Sequence, residues 1–159
     1  MPTRSPSASR SMVSELLMPH QVNNLGHVFG GAILSMVDRA ASVAAMRHAG
    51  MPCVTVSIDR VDFREPIYSG ELVTCSAQVN YVGRTSLEVG VLVEAEDLIK
   101  GTKRHTNTCY LTFVAINENH EPMAVPPLEL ETQEDRQKFR EGERRREVRQ
   151  ALLEELGEV

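Results

Sequence analysis

Asp38 is the residue whose type and position most strongly indicate chemistry. It lies in the middle of the most hydrophobic helical stretch of the chain, between Val37 and Arg39. A carboxylate on such a helix is costly unless it is paired, hydrogen-bonded or functional. The alternative is that Asp38 faces solvent or pairs with a neighbouring arginine, and the sequence leaves both interpretations open.

A pair of glycines, Gly30 and Gly31, precedes this helical stretch. A helix that begins at two glycines exposes backbone N–H groups, and the positive end of its dipole points at whatever approaches. Such a helix start can polarise a carbonyl or bind an anion. A plain tight turn explains a glycine pair about equally well.

The elements that must position these residues follow from the hydrophobic periodicity. Residues 32–49 are rich in Ala, Met and Leu and stop at Gly50 and Pro52, which predicts a helix that is apolar on nearly every face and therefore buried. Four strand-like runs follow, at residues 54–63, 71–82, 86–95 and 106–116. Their short connections predict an antiparallel meander wrapped around the helix, an α+β fold.

The two ends of the chain have a different composition. Residues 1–10 are rich in Ser, Pro and Arg and are predicted to form a disordered leader. Residues 132–156 consist mainly of strong helix formers, which predicts a charged, solvated helix that could dock on a neighbouring subunit. Glutamates flank Arg144, Arg145 and Arg146 and cancel most of their field, so these arginines do not indicate a nucleic-acid site.

Length and composition limit the function classes. A chain of 159 residues fits one domain, and a net charge of −5 argues against a general nucleic-acid binder. Cys53, Cys75 and Cys109 are widely spaced and lack the close pairs of zinc sites, so we expect buried thiols and no metal. No apolar run approaches the roughly 18 residues of a membrane span, and we expect a cytoplasmic protein.

The combined pattern resembles the hotdog-fold acyl-CoA thioesterases. Residues 18–31, with Asp38 seven positions after Gly31, are similar to that family's signature, and the resemblance continues at residues 54–66, 83–86 and 112–115. It implies a hotdog domain over residues 11–125, a long antiparallel sheet wrapped around one buried helix, and a charged helical tail over residues 126–159. It also implies an enzyme that hydrolyses acyl-CoA to a free acid and coenzyme A, with no further cofactor.

The resemblance implies that Asn23 and Asp38 form the catalytic pair. Asp38 would be the general base or the nucleophile, and Asn23, with the Gly31 N–H, would hold the water or the thioester. This suits thioester hydrolysis, which needs a base for water and donors for the developing oxyanion. Ser42, one turn after Asp38, either orients the carboxylate or the water, or is simply a small residue that lines the core.

Two basic segments are candidates for binding the phosphates of coenzyme A. Arg84, Thr85 and Ser86 follow Gly83, and Lys103 with Arg104 follows Gly101. By resemblance both segments line the coenzyme-A groove. Solvated charges on two turns are the alternative.

Helix geometry predicts that the active site is shared between subunits. Gly31 and Asp38 are seven residues apart, which separates them by roughly 10 Å along one helix. A water held by Asp38 and a carbonyl held by the Gly31 N–H must approach within about 3.5 Å. A partner helix running antiparallel would satisfy this distance, so we expect a homodimer. The resemblance implies further assembly as a trimer of dimers.

Three other functions are compatible with parts of the sequence. A hotdog hydratase or dehydratase would use a histidine with an acidic residue, and His27 is the only histidine near the helix start. A non-catalytic acyl-CoA sensor would lack the carboxylate that Asp38 provides. A purely structural oligomer leaves Asp38 unexplained.

Overall fold

The computed structural model describes residues 1–158, which form one α+β unit. Within these residues, no helix is both long and apolar enough to cross a membrane. The elements in chain order are α1 (Pro6–Ser9), β1 (Ser11–Leu16), a 3-10 turn (Pro19–Gln21), α2 (Gly30–Ala49), β2 (Cys53–Ile58), β3 (Leu72–Val82), β4 (Ser86–Asp97), β5 (Thr102–Ala115) and α3 (Gln133–Leu156).

The five strands form one antiparallel sheet in the order β1-β3-β4-β5-β2. The prediction of four strands in a simple meander is therefore wrong in two respects. Residues 11–16 add a strand beside β3, and β2 pairs with β5 instead of β3. Residues 59–71 consequently do not form a hairpin but carry the chain across from one edge of the sheet towards the other. Only β3, β4 and β5 follow one another as hairpins.

Helix α2 lies against the sheet and contacts all five strands. Its small residues Ala40, Ala41, Ala44 and Ala45 are completely buried, which lets the backbone of the helix approach the strands closely. Opposite them are inward-facing strand residues such as Val89, Val91, Val93, Leu111 and Phe113. The predicted buried helix is confirmed, and it begins at Gly30, two residues earlier than expected.

The prediction of a disordered leader over residues 1–10 is wrong. The Arg4 guanidinium donates to the carbonyls of Arg47 and His48, two of the carbonyls that the end of α2 leaves without helical partners. Ser9 is buried, and its hydroxyl accepts a hydrogen bond from the Val79 N–H at 2.9 Å. The Ser, Pro and Arg composition that suggested disorder instead supplies caps and hydrogen bonds.

The C-terminal helix is more than a solvated appendage, because it packs on the outer face of its own sheet. The rings of Phe139 and Tyr81 lie 4.9 Å apart. The Arg145 guanidinium donates to both oxygens of the buried Glu88 carboxylate, at 2.7 and 3.0 Å, and lies 3.6 Å from the centre of the Tyr110 ring. Of the three consecutive arginines, Arg145 thus fixes α3 to the sheet.

Strand β2 forms an open edge of the sheet. It pairs with β5 on one side only, and its apolar side chains Val54, Val56 and Ile58 are 43%, 59% and 38% exposed. An exposed apolar edge strand invites pairing with another strand. This edge is therefore the natural place for a second chain to join.

The end of α2 contains a buried histidine. The His48 Nε2 lies 2.6 Å from the Pro126 carbonyl and must donate to it, which leaves the buried Nδ1 without a partner among residues 1–158. Burial lowers the pKa of His48, the bond to Pro126 opposes this shift, and the charge of Arg4 adds to it. His48 is therefore neutral in the folded protein.

We predict that His48 makes the protein less stable in mild acid. Below the ordinary histidine pKa of about 6.5, the unfolded chain binds a proton that the folded chain excludes. The free energy of unfolding should then fall with decreasing pH, by at most about 1.4 kcal/mol per pH unit from this group. Urea unfolding over this range measures it. His48→Gln, which cannot titrate, should show a shallower dependence, and an unchanged slope would contradict the assignment.

Candidate active site

Asn23 organises the loop that precedes α2. Its side-chain oxygen accepts hydrogen bonds from the backbone N–H groups of Leu25 and His27, at 2.9 and 3.1 Å. Gly26 adopts a φ of +78° and closes the turn, with its N–H donating to the Asn23 carbonyl. Because the amide oxygen of Asn23 is occupied, the Nδ2 group is the part of this side chain that can act on a ligand.

The two glycines at the start of α2 have different roles. A Cβ on Gly30 would lie 3.1 Å from the Phe63 ring, so the absence of a side chain lets that ring pack closely. A Cβ on Gly31 would meet nothing within 4 Å. Gly31 is exposed, and first-turn N–H groups have no helical acceptor. The open donor at Gly31 is consistent with the predicted binding of a carbonyl or an anion.

A cavity of about 330 Å³ lies beside this helix start. Its wall combines the loop before α2 with the segment between β2 and β3, and includes Asn23, His27, Gly30, Ile33, Phe63 and Pro66. Arg64 and Glu65 also line it, so the cavity combines apolar side chains with polar and charged groups, as small-molecule sites commonly do.

Asp38 lies two turns further along α2 and is half-buried. Its Oδ1 accepts a hydrogen bond of 2.7 Å from the hydroxyl of Thr55 on β2, its one hydrogen-bond partner within residues 1–158. The adjacent Arg39 instead lies 3.4 Å from Glu15. The alternative in which Asp38 pairs with a neighbouring arginine is therefore wrong, and Oδ2 is left to interact with a ligand or water.

The sequence analysis did not predict Thr55 as the hydrogen-bond partner of Asp38. Ser42 was the expected orienting group, but it forms no hydrogen bond with Asp38 in the described chain. Thr55 lies 17 positions away on an edge strand, and no local spacing links the two residues. The one available signal was a hydroxyl between two valines on a strand that follows the helix.

One subunit does not bring the predicted catalytic residues into one cavity. Asn23 lines the cavity at the start of α2, whereas Asp38 is absent from its wall. Asp38 faces Thr55 at the exposed edge of the sheet instead. This arrangement agrees with the predicted separation of roughly 10 Å between Gly31 and Asp38.

The two basic segments lie at opposite ends of β4. Ser86 begins this strand, and Lys103 pairs with Glu96, ten residues further along it. At about 3.3 Å per residue the separation is roughly 33 Å. The two segments of one subunit therefore cannot bind the same phosphate group. Arg84 and Lys103 are both exposed, and Thr85 and Ser86 line a second cavity beneath α3.

Arg104 differs from the other candidates because its guanidinium already has partners. It contacts both oxygens of the buried Glu71 carboxylate, at 2.6 and 3.0 Å, and donates to the Pro66 carbonyl at 2.7 Å. Its Nε lies 3.4 Å from Glu65. The binding of coenzyme A by Arg104 stays a prediction, while the structure gives this residue contacts within the subunit. Arg104 fastens the segment that carries Phe63 and Pro66, the wall of the cavity at the start of α2.

The cysteines do not provide a nucleophile. Burial raises the pKa of Cys75 to about 12 and those of Cys53 and Cys109 to about 11. The thiols are therefore protonated at neutral pH, and the thiolate is the reactive form. Among residues 1–158 there is no cluster of three His, Cys, Asp or Glu side chains arranged to hold a metal ion.

Comparisons with known proteins agree with this architecture. Residues 25–102 match the family model of the thioesterase superfamily. The acyl-CoA thioester hydrolase YkhA of Bacillus subtilis, itself uncharacterized, is 36% identical, and the match covers 98% of this chain and 94% of YkhA.

Solved structures extend the likeness to three dimensions. The acyl-CoA hydrolase from Staphylococcus aureus, solved with butyryl coenzyme A and coenzyme A, superposes with a TM-score of 0.90 at 32% identity over 99% of this chain and 96% of that one. Structures of the same enzyme also exist with one Asp, one Thr or one Asn replaced by Ala. A hexameric acyl-CoA thioesterase gives a TM-score of 0.90 at 34% identity over 95% and 97% of the two chains. The predicted hotdog fold is confirmed.

Proposed function

This chain belongs to the thioesterase superfamily as an acyl-CoA thioester hydrolase, and we propose that two subunits form each of its active sites. In this proposal Asn23 and Gly31 come from one subunit and Asp38 from the other. The observation that carries it is the placement of the Asp38–Thr55 pair. A half-buried carboxylate with one free oxygen faces the open β2 edge, two helical turns away from the donors that it must work with.

The Staphylococcus aureus variants support this choice of residues. The replaced Asn, Asp and Thr of that enzyme are separated by 15 and 17 residues. Asn23, Asp38 and Thr55 have the same separations in this chain. Residues replaced together in one study mark a site under test, and here they are two predicted residues and the hydroxyl that binds Asp38.

The proposed hydrolysis uses ordinary acid–base chemistry. Asp38 removes a proton from water, and the oxygen attacks the thioester carbonyl. The Gly31 N–H and the Asn23 Nδ2 donate to the oxyanion that forms. The carbon–sulfur bond then breaks, and the proton held by Asp38 returns to the departing thiolate, which yields the free acid and coenzyme A. If Asp38 attacks the carbonyl itself, water hydrolyses the resulting anhydride to the same products.

We predict that Asp38→Asn lowers kcat by about 100-fold or more while the fold is retained, because the amide keeps the shape but lacks the basicity. Thr55→Val should lower kcat to a smaller extent, since it removes the group that orients Asp38. Thiol release from acyl-CoA measures the rates, and circular dichroism checks the fold. Glu118→Gln, the same carboxylate-to-amide change on the exposed loop after β5, is the matched control. Hydrolysis at the normal rate by folded Asp38→Asn would exclude the mechanism.

We also propose that Arg84, Thr85, Ser86 and Lys103 bind the nucleotide end of coenzyme A. Within residues 1–158 the exposed side chains of Arg84 and Lys103 form no hydrogen bond or ion pair, whereas Arg104 is held by Glu71. Because the two segments lie roughly 33 Å apart along β4, each contributes to a different bound molecule or subunit contact. Arg84 follows the turn at Gly83, where its side chain is accessible to a phosphate.

Acyl-pantetheine lacks the nucleotide phosphates of acyl-CoA. A comparison of the two substrates therefore distinguishes the proposed role of Arg84 from that of Arg104. Arg84→Ala should raise KM for acyl-CoA by about 10-fold or more, as expected for the loss of a charge-assisted contact of about 1.5–3 kcal/mol. It should leave KM for acyl-pantetheine unchanged. Arg104→Ala should impair both substrates alike, because it loosens the cavity wall. If Arg84→Ala raised KM equally for both substrates, Arg84 would not bind the nucleotide phosphates. If Arg104→Ala raised KM for acyl-CoA alone, Arg104 would contribute to the coenzyme-A groove.

The oligomer that we propose is a homodimer joined at the β2 edges, with further assembly as a trimer of dimers. The exposed apolar side chains of β2 and its unpaired backbone support the first contact. A twofold axis beside β2 would bring α2 of each subunit alongside the other and place Asp38 near the second subunit's helix start. The hexameric relative supports the higher assembly.

Mixed dimers test the shared site directly. Asn23→Ala and Asp38→Ala chains should each be inactive alone. Co-expressed with different affinity tags and purified through both, they should form heterodimers with one intact site and about half of the normal activity per dimer. Correctly assembled heterodimers that remain inactive would exclude sharing, and activity would then have to arise within one subunit.

A further inference from the structure

Helix α3 runs along the outer face of the sheet from β3 towards β2. Gly142 lies over Tyr81 on β3, Arg145 binds Glu88 on β4, and Arg149 binds Asp59, the residue after β2, at 2.9 Å. From Gly142 to Arg149 the helix advances by roughly 10 Å, against roughly 14 Å for the three strand spacings from β3 to β2. The long Arg149 side chain, which also lies 3.7 Å from Glu88, covers the remaining distance to Asp59. The helix does not stop there.

The last turns of α3 continue to and beyond the β2 edge. From Arg149 to Leu156 the helix advances by roughly a further 10 Å, which corresponds to about two strand spacings of 4.8 Å. This segment has an apolar stripe that is largely uncovered, with exposures between 41% and 58% for Val148, Leu152, Leu153 and Leu156. Four exposed large apolar residues on one helix end are a costly surface unless something covers them.

The space beneath this helix end is not filled by the subunit itself. A cavity of about 720 Å³ lies between α3 and β2, and Val56, Ile58, Leu152 and Leu153 are among the residues that line it. The exposed leucines of α3 and the exposed valine and isoleucine of the edge strand therefore face the same cavity, which charged residues such as Asp59 and Arg149 also line.

We propose that the end of α3, from Leu152 to Leu156, crosses the seam of the dimer and packs on the outer face of the second copy. This inference rests on the proposed joining of two copies at β2. A twofold axis beside β2 makes the exchange mutual, so the second copy's helix end covers this subunit's β2 and enters the cavity beside it.

Area supports a second copy as the occupant. A six-residue strand is about 20 Å long, so pairing of two edges covers a ribbon of roughly 200 Å². Stable interfaces bury about 800 Å² per partner. Strand pairing alone falls well short of that value. The two α2 helices, which the proposed dimer brings together, supply part of the remaining area, and the helix ends beside the seam supply exposed apolar area.

The variant Leu153→Glu/Leu156→Glu tests the proposal in the full chain. We expect the dissociation constant of the dimer to rise at least 10-fold, measured by sedimentation over a range of protein concentrations. Glu154→Gln/Glu155→Gln changes the same helical turn without altering the apolar stripe and should leave the dimer intact. Leu98→Glu, an exposed leucine on the distant β4–β5 hairpin, is a second control. Circular dichroism checks that each variant is folded.

Four outcomes have defined meanings. An unchanged dimer in the double variant would overturn the proposal, as would loss of higher assembly with the dimer intact, because the helix end would then join dimers and not cross the seam. Should the double variant misfold, a chain ending at Gln150 gives the same comparison. Weakened dimers that regain activity at high protein concentration would support both proposals. Monomers that hydrolyse acyl-CoA at the normal rate would support the helix crossing and exclude the shared active site.

Discussion

Burial of α2 in the curved sheet is the constraint on which the rest of the structure depends. The helix must be small and apolar where it touches all five strands, which accounts for the four completely buried alanines between Ala40 and Ala45. The polar side chains of α2 other than the buried His48 lie where the helix leaves the sheet, and His48 is hydrogen-bonded to the Pro126 carbonyl. Asp38 lies on the face that meets β2 and is hydrogen-bonded by Thr55. The carboxylate of α2 therefore lies at the margin where a second chain can join, whereas Arg39 lies beside Glu15 on β1, at the opposite edge.

Two buried ion pairs hold segments that the hydrophobic core does not hold in place. Glu71 with Arg104 fixes the segment between β2 and β3, and Glu88 with Arg145 fixes α3 to the outer face. In each pair the carboxylate is the more deeply buried partner, so removal of the arginine would leave a buried charge without compensation. Each pair therefore fixes the position of one segment. Glu71 and Arg104 shape the wall of the cavity at the start of α2, and Glu88 and Arg145 direct α3 towards the sheet edge.

The helices and strands that could be predicted from the sequence are those with a clear hydrophobic periodicity. The apolar helix and the three long strands of the sheet were recognisable because their side chains repeat with one period over ten or more residues. β1 was missed as a strand because it directly follows the Ser-, Pro- and Arg-rich residues 1–10, whose composition suggests disorder. The position of β2 beside β5 depends on a long-range pairing that no local pattern encodes. In the site, Asp38 could be predicted because a carboxylate on an apolar helix is energetically costly. Thr55 could not be predicted, because only the folded structure brings its hydroxyl to Asp38. Arg84 and Arg104 look alike in sequence, and only burial of Glu71 distinguishes them.

The proposed shared site links catalysis to assembly through one surface. The open edge of β2, the Asp38–Thr55 pair and the end of α3 all lie at the same margin of the subunit. Covering this margin with a second copy would remove exposed apolar area and exclude water around the carboxylate in the same step. A subunit on its own would keep a competent fold but an incomplete site. Binding of a second copy would then stabilise the folded state by mass action, and the same equilibrium would set the fraction of active enzyme.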